Sequence, residues 1–279
     1  MQAPEGRARA QLVYVSKSIG RRLRWAPQDL RERSARGALV PPRGLSFVGG
    51  GDFLQVGREH LRLFTEHGGL KSGDRVLDVG CGIGRMAVPL LDYLDAEGSY
   101  AGFDVGKAMI GWCQKNITAR RADFQFTWAP IYNRKYNPFG AIAADEFRFP
   151  YDDDSFDFVF ATSLFTHLTL ADARHYLAEV GRVLAPGGRC YLTFFVLADH
   201  ARAELDAGRA AFDFRFPVER GLTIDRHEPE AAIAFEEPAL RDLFTAASLR
   251  IDDPIRYGHW AHAPEAFSGQ DVVLGRPAG

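Results

Sequence analysis

The apolar positions of the chain fall into short, dense runs set between stretches of helical period. Residues 75–79 (Arg-Val-Leu-Asp-Val), 99–104 (Ser-Tyr-Ala-Gly-Phe-Asp), 124–128, 158–161 and 189–197 read as buried strands. Between them, Leu54, Leu61 and Phe64 recur at helical spacing over 54–67, and Gly68-Gly69 predicts the stop of that helix. Further helices are predicted from a glycine turn through residue 94, over 108–118, and over 170–184, where Ala185-Pro186-Gly187-Gly188 ends the pattern. Beyond residue 198 the order changes. Phe212, Phe214 and Phe216 alternate with Asp213 and Arg215, which predicts a strand with one apolar face; a helix over 236–248 and strands near 251–257 and 270–274 follow.

Ahead of the first strand, residues 1–37 predict one helix and then a loop that ends in Pro41-Pro42-Arg43-Gly44. Residues 49–51 are three glycines between Phe47 and Phe53, a segment that either folds over a ligand or is a plain linker. Residues 129–148, with Tyr132, Tyr136 and Phe139, interrupt the strand-and-helix order and read as an insertion; residues 199–235 read as a second. The expected division is an amino-terminal helical or lid segment over 1–60 and a main domain over 61–279.

With 279 residues the chain is long enough to bury a sizeable core. A formal net charge of -2 gives no global attraction to nucleic acid or to an anionic membrane. The first forty residues depart from that average, with nine basic side chains (Arg7, Arg9, Lys17, Arg21, Arg22, Arg24, Arg31, Arg33, Arg36) against three acidic ones (Glu5, Asp29, Glu32). A solvated helix face is one reading of that excess; a lid, a partner-binding segment or a membrane-surface segment is the other. The longest apolar run, 191–198, is too short to cross a bilayer, and no apolar segment of signal-peptide type follows the first residues. Cys81, Cys113 and Cys190 are odd in number and widely spaced, which fits reduced thiols and a cytoplasmic location.

The chemistry concentrates in residues 74–86, Asp-Arg-Val-Leu-Asp-Val-Gly-Cys-Gly-Ile-Gly-Arg-Met. Gly80, Gly82 and Gly84 let the backbone take positive φ and let a ligand approach closely after the first strand. The dinucleotide fingerprint would put a third glycine at the position of Arg85, and it does not explain Asp78, a carboxylate placed to meet a cationic ligand. The second strand ends in Asp104, 24 positions after Gly80, close to the spacing at which α/β nucleotide folds set an acid on the ribose hydroxyls. Two further landmarks are Phe149-Pro150-Tyr151-Asp152-Asp153-Asp154-Ser155-Phe156-Asp157 before the fourth strand and Leu184-Ala185-Pro186-Gly187-Gly188 before the fifth.

In these four features residues 70–198 resemble the class I S-adenosylmethionine (SAM)-dependent methyltransferases of small-molecule type. The resemblance implies an α/β fold, a Rossmann-like, seven-stranded, mostly parallel sheet with helices on both faces and an antiparallel last strand. It implies SAM as cofactor, with Asp78 facing the methionyl ammonium, the turn of Gly80, Cys81, Gly82, Gly84 and Arg85 on the adenosyl and methionyl backbone, Asp104 on the ribose and Val105 against adenine. Thr162, after the fourth strand, joins this set. The adenine edge falls either on Asp145, counting back from Phe156-Asp157, or on the Ile131 amide beside Pro130, counting forward from the third strand.

Methyl transfer from a sulfonium is an in-line displacement, so positioning and exclusion of water matter most. A hydroxyl acceptor also has to lose its proton, and His167, just past the fourth strand, is the candidate base; as a bland alternative it caps or packs at a helix start. His259 and His262 either line the same pocket or lie on the surface. The fourth strand ends in Thr162-Ser163 rather than in carboxylates, so no metal is expected. The expected function is O-methylation of a small-molecule acceptor, with the aromatic insertions roofing its pocket. The alternatives are N- or carboxyl-methylation and, further off, RNA methylation or a non-catalytic SAM-binding protein. Neither the oligomeric state nor the identity of the acceptor is legible.

Overall fold

The computed structural model describes residues 4–32, 37–46, 49–263, 265–266 and 268–278. Arg33 and Arg36 of the basic segment, and Phe47 and Val48 beside the glycine triplet, lie outside the described residues. In chain order the elements are α1 (Pro4–Arg31), α2 (Phe53–Leu63), β1 (Arg75–Val79), α3 (Ala87–Tyr93), β2 (Ser99–Asp104), α4 (Lys107–Cys113), β3 (Phe124–Trp128), β4 (Phe156–Ala161), α5 (Leu170–Val183), β5 (Leu184–Phe194) and β6 (Val196–Leu197). They continue with α6 (Asp199–Asp206), β7 (Phe216–Val218), β8 (Gly221–Thr223), β9 (Ile233–Glu236), α7 (Glu237–Ala246), β10 (Leu249–Ile251) and β11 (Asp271–Pro277).

Hydrogen bonding sets seven strands in the order β10-β11-β5-β4-β1-β2-β3. The pairs β1 with β4, β4 with β5 and β2 with β3 are parallel, whereas β11 runs antiparallel to both β5 and β10. This is the Rossmann-like sheet with an antiparallel last strand that the resemblance implies. Among the described residues no helix is long and apolar enough to cross a membrane.

The chain divides into two compact units. The first comprises residues 1–74 and 80–147, with α1, α2, α3, β2, α4 and β3. Asp52 caps α2 by accepting the Gln55 N–H at 2.8 Å. That helix does not stop at Leu63 but widens into a π-turn, Phe64–Gly68, closed by Gly69 in the left-handed conformation (φ 75°). The helix expected over 108–118 behaves likewise, with α4 passing into a π-turn over Gln114–Thr118. The helix after the glycine turn is shorter than its pattern, since regular α-helix begins only at Ala87.

The second unit comprises residues 75–79 and 148–279. Arg75 clamps Asp157 through both nitrogens of its fork, 2.9 and 2.8 Å, and pins the entry of β1 to that of β4. Thr169 and Asp172 form a reciprocal capping box at the start of α5. That helix ends at Val183, and β5 begins at once at Leu184; the Pro186-Gly187-Gly188 segment lies inside the strand, where the register with β4 slips before pairing resumes at Arg189. The strand expected over 189–197 is broken as well, because β6 leaves the large sheet and pairs with β9.

A four-stranded sheet, β6-β9-β8-β7, is the main feature the apolar pattern does not predict. Its core is Phe195, Leu197, Ala201, Phe214, Ala232, Ala234, Trp260 and Ala261. The alternation at 212–216 is not a strand over that range. Phe214 is buried, Phe212 is 41% exposed, and pairing begins only at Phe216. The rings instead collect on Phe195, whose centroid lies 4.9 Å from Phe212, 5.2 Å from Phe214 and 5.3 Å from Trp260. The strand expected over 251–257 shrinks to β10 plus an isolated bridge from Arg256 to Val272.

Candidate active site

In the first unit the glycine turn and the end of β2 form one hydrogen-bonded assembly. The amides of Gly80 and Cys81 both donate to the Phe103 carbonyl, each at 3.0 Å. One residue on, Asp104 accepts the Gly82 N–H on Oδ2 at 2.9 Å and the Gly106 N–H on Oδ1 at 2.7 Å. Burial raises the Asp104 pKa, and the Gly106 and Gly82 amides oppose that shift by favouring the charged form. An ionised carboxylate accepts at about four lone-pair positions, so two remain for a diol.

The turn takes φ values of 82°, 54° and 75° at Gly80, Gly82 and Gly84, all left-handed. The glycines nevertheless serve different ends. A Cβ built on Gly84 would stand 2.7 Å from Ile117 Cδ1 and 3.1 Å from Cys113 Sγ, so this glycine lets the turn pack on α4 and its π-turn. A Cβ on Gly82 would meet nothing within 4 Å, so here the backbone faces open space. A bare backbone beside a carboxylate with spare acceptors fits a nucleoside bearing two hydroxyls.

Arg85 leaves this turn in another direction. Its Nη1 donates to the Gly50 carbonyl at 2.8 Å and its Nη2 to that of Gly49 at 3.3 Å, with the guanidinium 5.6 Å from the Phe53 ring centroid. Burial lowers its pKa, opposed by Asp52. The glycine triplet is therefore tied to the turn by its carbonyls.

Val105 is fixed by Trp128, whose Nε1–H donates to the Val105 carbonyl at 3.0 Å while Lys107 Nζ lies 4.8 Å from the indole centroid. Trp128 is opposite Asp104 in the β2–β3 register. Sequence reasoning missed it, although an aromatic closing the third strand was the available signal. Ile131 is buried, its carbonyl accepting from Asn137 Nδ2 at 2.9 Å and its backbone bridged to Ile142. Asp145 is exposed on a 3-10 turn, Ala144–Glu146.

In the second unit, Asp78 is a buried carboxylate on β1, in register with Phe160 of β4. Thr162 follows the end of β4 and is half-buried. The next residue, Ser163, takes the left-handed conformation (φ 56°), uncommon for a side chain other than glycine. Its N–H donates to Thr193 Oγ1 at 2.7 Å, and its hydroxyl to Gln270 Oε1 at 3.0 Å. His167 closes the 3-10 turn Phe165–His167, and its Nδ1 lies 2.9 Å from the Glu230 carbonyl. His259 and His262 are both exposed, the latter bonded through Nε2 to the Arg209 carbonyl at 2.9 Å.

Comparison with known proteins agrees with this geometry. Residues 77–192 match the family described as Methyltransferase domain. A 27-O-demethylrifamycin SV methyltransferase of Amycolatopsis mediterranei is 32% identical over 203 residues, 72% of this chain and 64% of that protein. A sterol 24-C-methyltransferase of Schizosaccharomyces pombe is 28% identical over 153 residues, 55% of this chain and 36% of that protein. The chain thus spans less than two thirds of the length of either relative. A crystal structure of a protein from Pyrococcus horikoshii OT3 shares the fold, with a TM-score of 0.56 at 16% identity over 84% of this chain and 94% of that one. Fold and glycine turn together define a nucleoside-binding α/β domain. The match marks residues 77–192 as a methyltransferase domain.

Proposed function

We propose that this chain transfers the methyl group of SAM to a hydroxyl oxygen of a small molecule, with His167 as general base. The observation that carries this reading is the 2.9 Å contact of His167 Nδ1 with the Glu230 carbonyl. A carbonyl oxygen only accepts, so in the neutral ring the proton belongs on Nδ1 and Nε2 presents the lone pair. That is the tautomer a base needs. Nε2 would take the hydroxyl proton of an acceptor aligned with the methyl group that bound SAM would supply, the sulfur leaving as a neutral thioether.

When bound, SAM supplies an activated methyl group. In the first unit the spare lone pairs of Asp104 are assigned to the ribose hydroxyls, the open side of Gly82 to the close approach of the cofactor, and Val105 to one face of adenine. The Ile131 amide and Asp145 remain the two choices for the adenine edge. In the second unit Asp78 is assigned to the methionyl ammonium and Thr162 to the cofactor set. No carboxylate closes β4, so the reading includes no metal.

The names of the two curated relatives differ in the acceptor atom, one an oxygen and the other a carbon. A histidine with Nε2 as acceptor favours oxygen, since an alcohol gains most from a base. The test is a methyl-transfer screen over alcohols, acids and amines, with His167→Ala run beside the native chain across a pH series. Alcohol methylation should fall by roughly a hundredfold or more in the variant, and the acidic limb of its pH profile should vanish. An equally fast variant would leave His167 a packing residue and turn attention to acids and amines.

A further inference from the structure

The helix α1 has two unlike faces. One lies on the first unit: Arg7 donates to the Gly140 carbonyl, Gln11 Nε2 to that of Pro138 at 3.2 Å, and Arg21 Nε to that of Gly44 at 3.0 Å, while the Tyr14 ring stands edge-on to Phe139. Near the end of the helix the Asp29 carboxylate accepts the Arg43 and Gly44 amides at 2.7 and 3.1 Å. These contacts fix which side of the helix turns outward.

One stripe carries Ala8, Leu12, Val15, Ile19, Leu23, Ala26 and Leu30, all exposed, with Leu12, Leu23 and Leu30 at 73%, 70% and 73%; Ala26 and Leu30 border an open groove with Pro42 and Leu45, and Val13, also exposed, lies off the stripe. The spacings along the stripe are four, three, four, then four, three, four, an eleven-residue repeat read twice. Such a repeat stays close to the natural helical period, so the stripe runs straight along the axis for roughly 33 Å. From Gly6 to Arg31 the exposed charges are Arg9, Lys17, Arg22, Arg24 and Arg31, all positive. Asp29, the one acid between Gly6 and Arg31, is turned inward to its amides.

We infer that α1 docks on the surface of a lipid bilayer rich in anionic headgroups, its apolar stripe sunk at the acyl boundary and its arginines among the phosphates. The charge decides between occupants. A second copy of α1 would set cations against cations, and a nucleic acid would meet the arginines but leave the stripe in water. A straight apolar stripe flanked by cations suits a flat, anionic, apolar-cored surface. This inference stands apart from the acceptor reading above.

The test is co-sedimentation of the full chain with vesicles of phosphatidylcholine alone and of phosphatidylcholine mixed equally with phosphatidylglycerol. Binding to the anionic vesicles should be at least roughly tenfold tighter, and should weaken as salt rises. The triple variant Leu12→Gln, Ile19→Gln, Leu23→Gln should lose that binding while its SAM affinity, a measure of intact folding, stays unchanged. Equal binding to both vesicles overturns the inference, as does a triple variant that still binds. So does a dimer in solution, or a complex with an RNA oligonucleotide, formed by the native chain and abolished by the same variant.

Discussion

Asp104 is held at both oxygens by backbone amides that sit on either side of it in space, Gly82 from the turn and Gly106 from the start of the next helix. Its geometry is therefore set before a ligand arrives. On the proposed assignment to the ribose, Asp104→Ala removes an acceptor and frees the Gly82 amide together, so SAM binding should weaken by the equivalent of two charge-assisted hydrogen bonds, on the order of 3 kcal/mol. Calorimetric titration with SAM measures it, and an unchanged affinity would detach Asp104 from the ribose. The place of this residue at the end of β2 was legible because strand, turn, helix and second strand follow one another in the chain, and the acid falls at a fixed count from the first glycine. The aromatic that ends β3 was visible, but the contact of Trp128 with the Val105 carbonyl and the tether of Arg85 to residues 49–50 were not, since each joins segments that no local pattern links.

The glycine turn also shows how much of an element depends on its neighbours. Both π-turns, at Phe64–Gly68 and Gln114–Thr118, prolong helices whose apolar period reads as ordinary α-helix. The second of them brings Ile117 against Gly84. Gly84→Ala thus combines overpacking with a left-handed side chain and should destabilise the chain by about 3 kcal/mol. Gly82→Ala meets no atom and should cost about 1 kcal/mol, from backbone conformation alone, yet it should weaken SAM binding the more of the two at matched folding. Urea unfolding with and without SAM separates the two effects, and a reversed order of stabilities would refute the division of labour. The small sheet escaped the sequence for a related reason. Its strands are two to four residues long, too short to show a period, and the one clear alternation, at 212–216, belongs to a ring cluster.

At the scale of the molecule, the charge pattern pointed to a basic amino-terminal segment but gave no sign of the buried acid that joins the two sheets. Asp271 begins β11 of the large sheet and accepts the N–H of Val196, which opens β6 of the small one, at 2.6 Å. The same carboxylate takes the Gly258 amide at 2.6 Å and the Trp260 indole N–H at 2.8 Å. Three donors favour its charge, but burial outweighs them and pushes its pKa up to about 6 from an ordinary 3.8. A raised carboxyl pKa means that between those values the folded chain holds a proton the unfolded chain has released. Stability from this group is therefore greatest at the acid end of the window and is lost as pH rises through about 6, amounting to about 3 kcal/mol. Other carboxylates titrate in the same range, so the useful quantity is a difference between two chains. Subtracting the unfolding free energy of Asp271→Asn from that of the native chain, at each pH in urea, should give a difference that grows by most of that amount as pH falls from 7 to 4. A difference flat across the window would mean that Asp271 stays ionised in the folded chain and that its three donors, not its burial, set its charge.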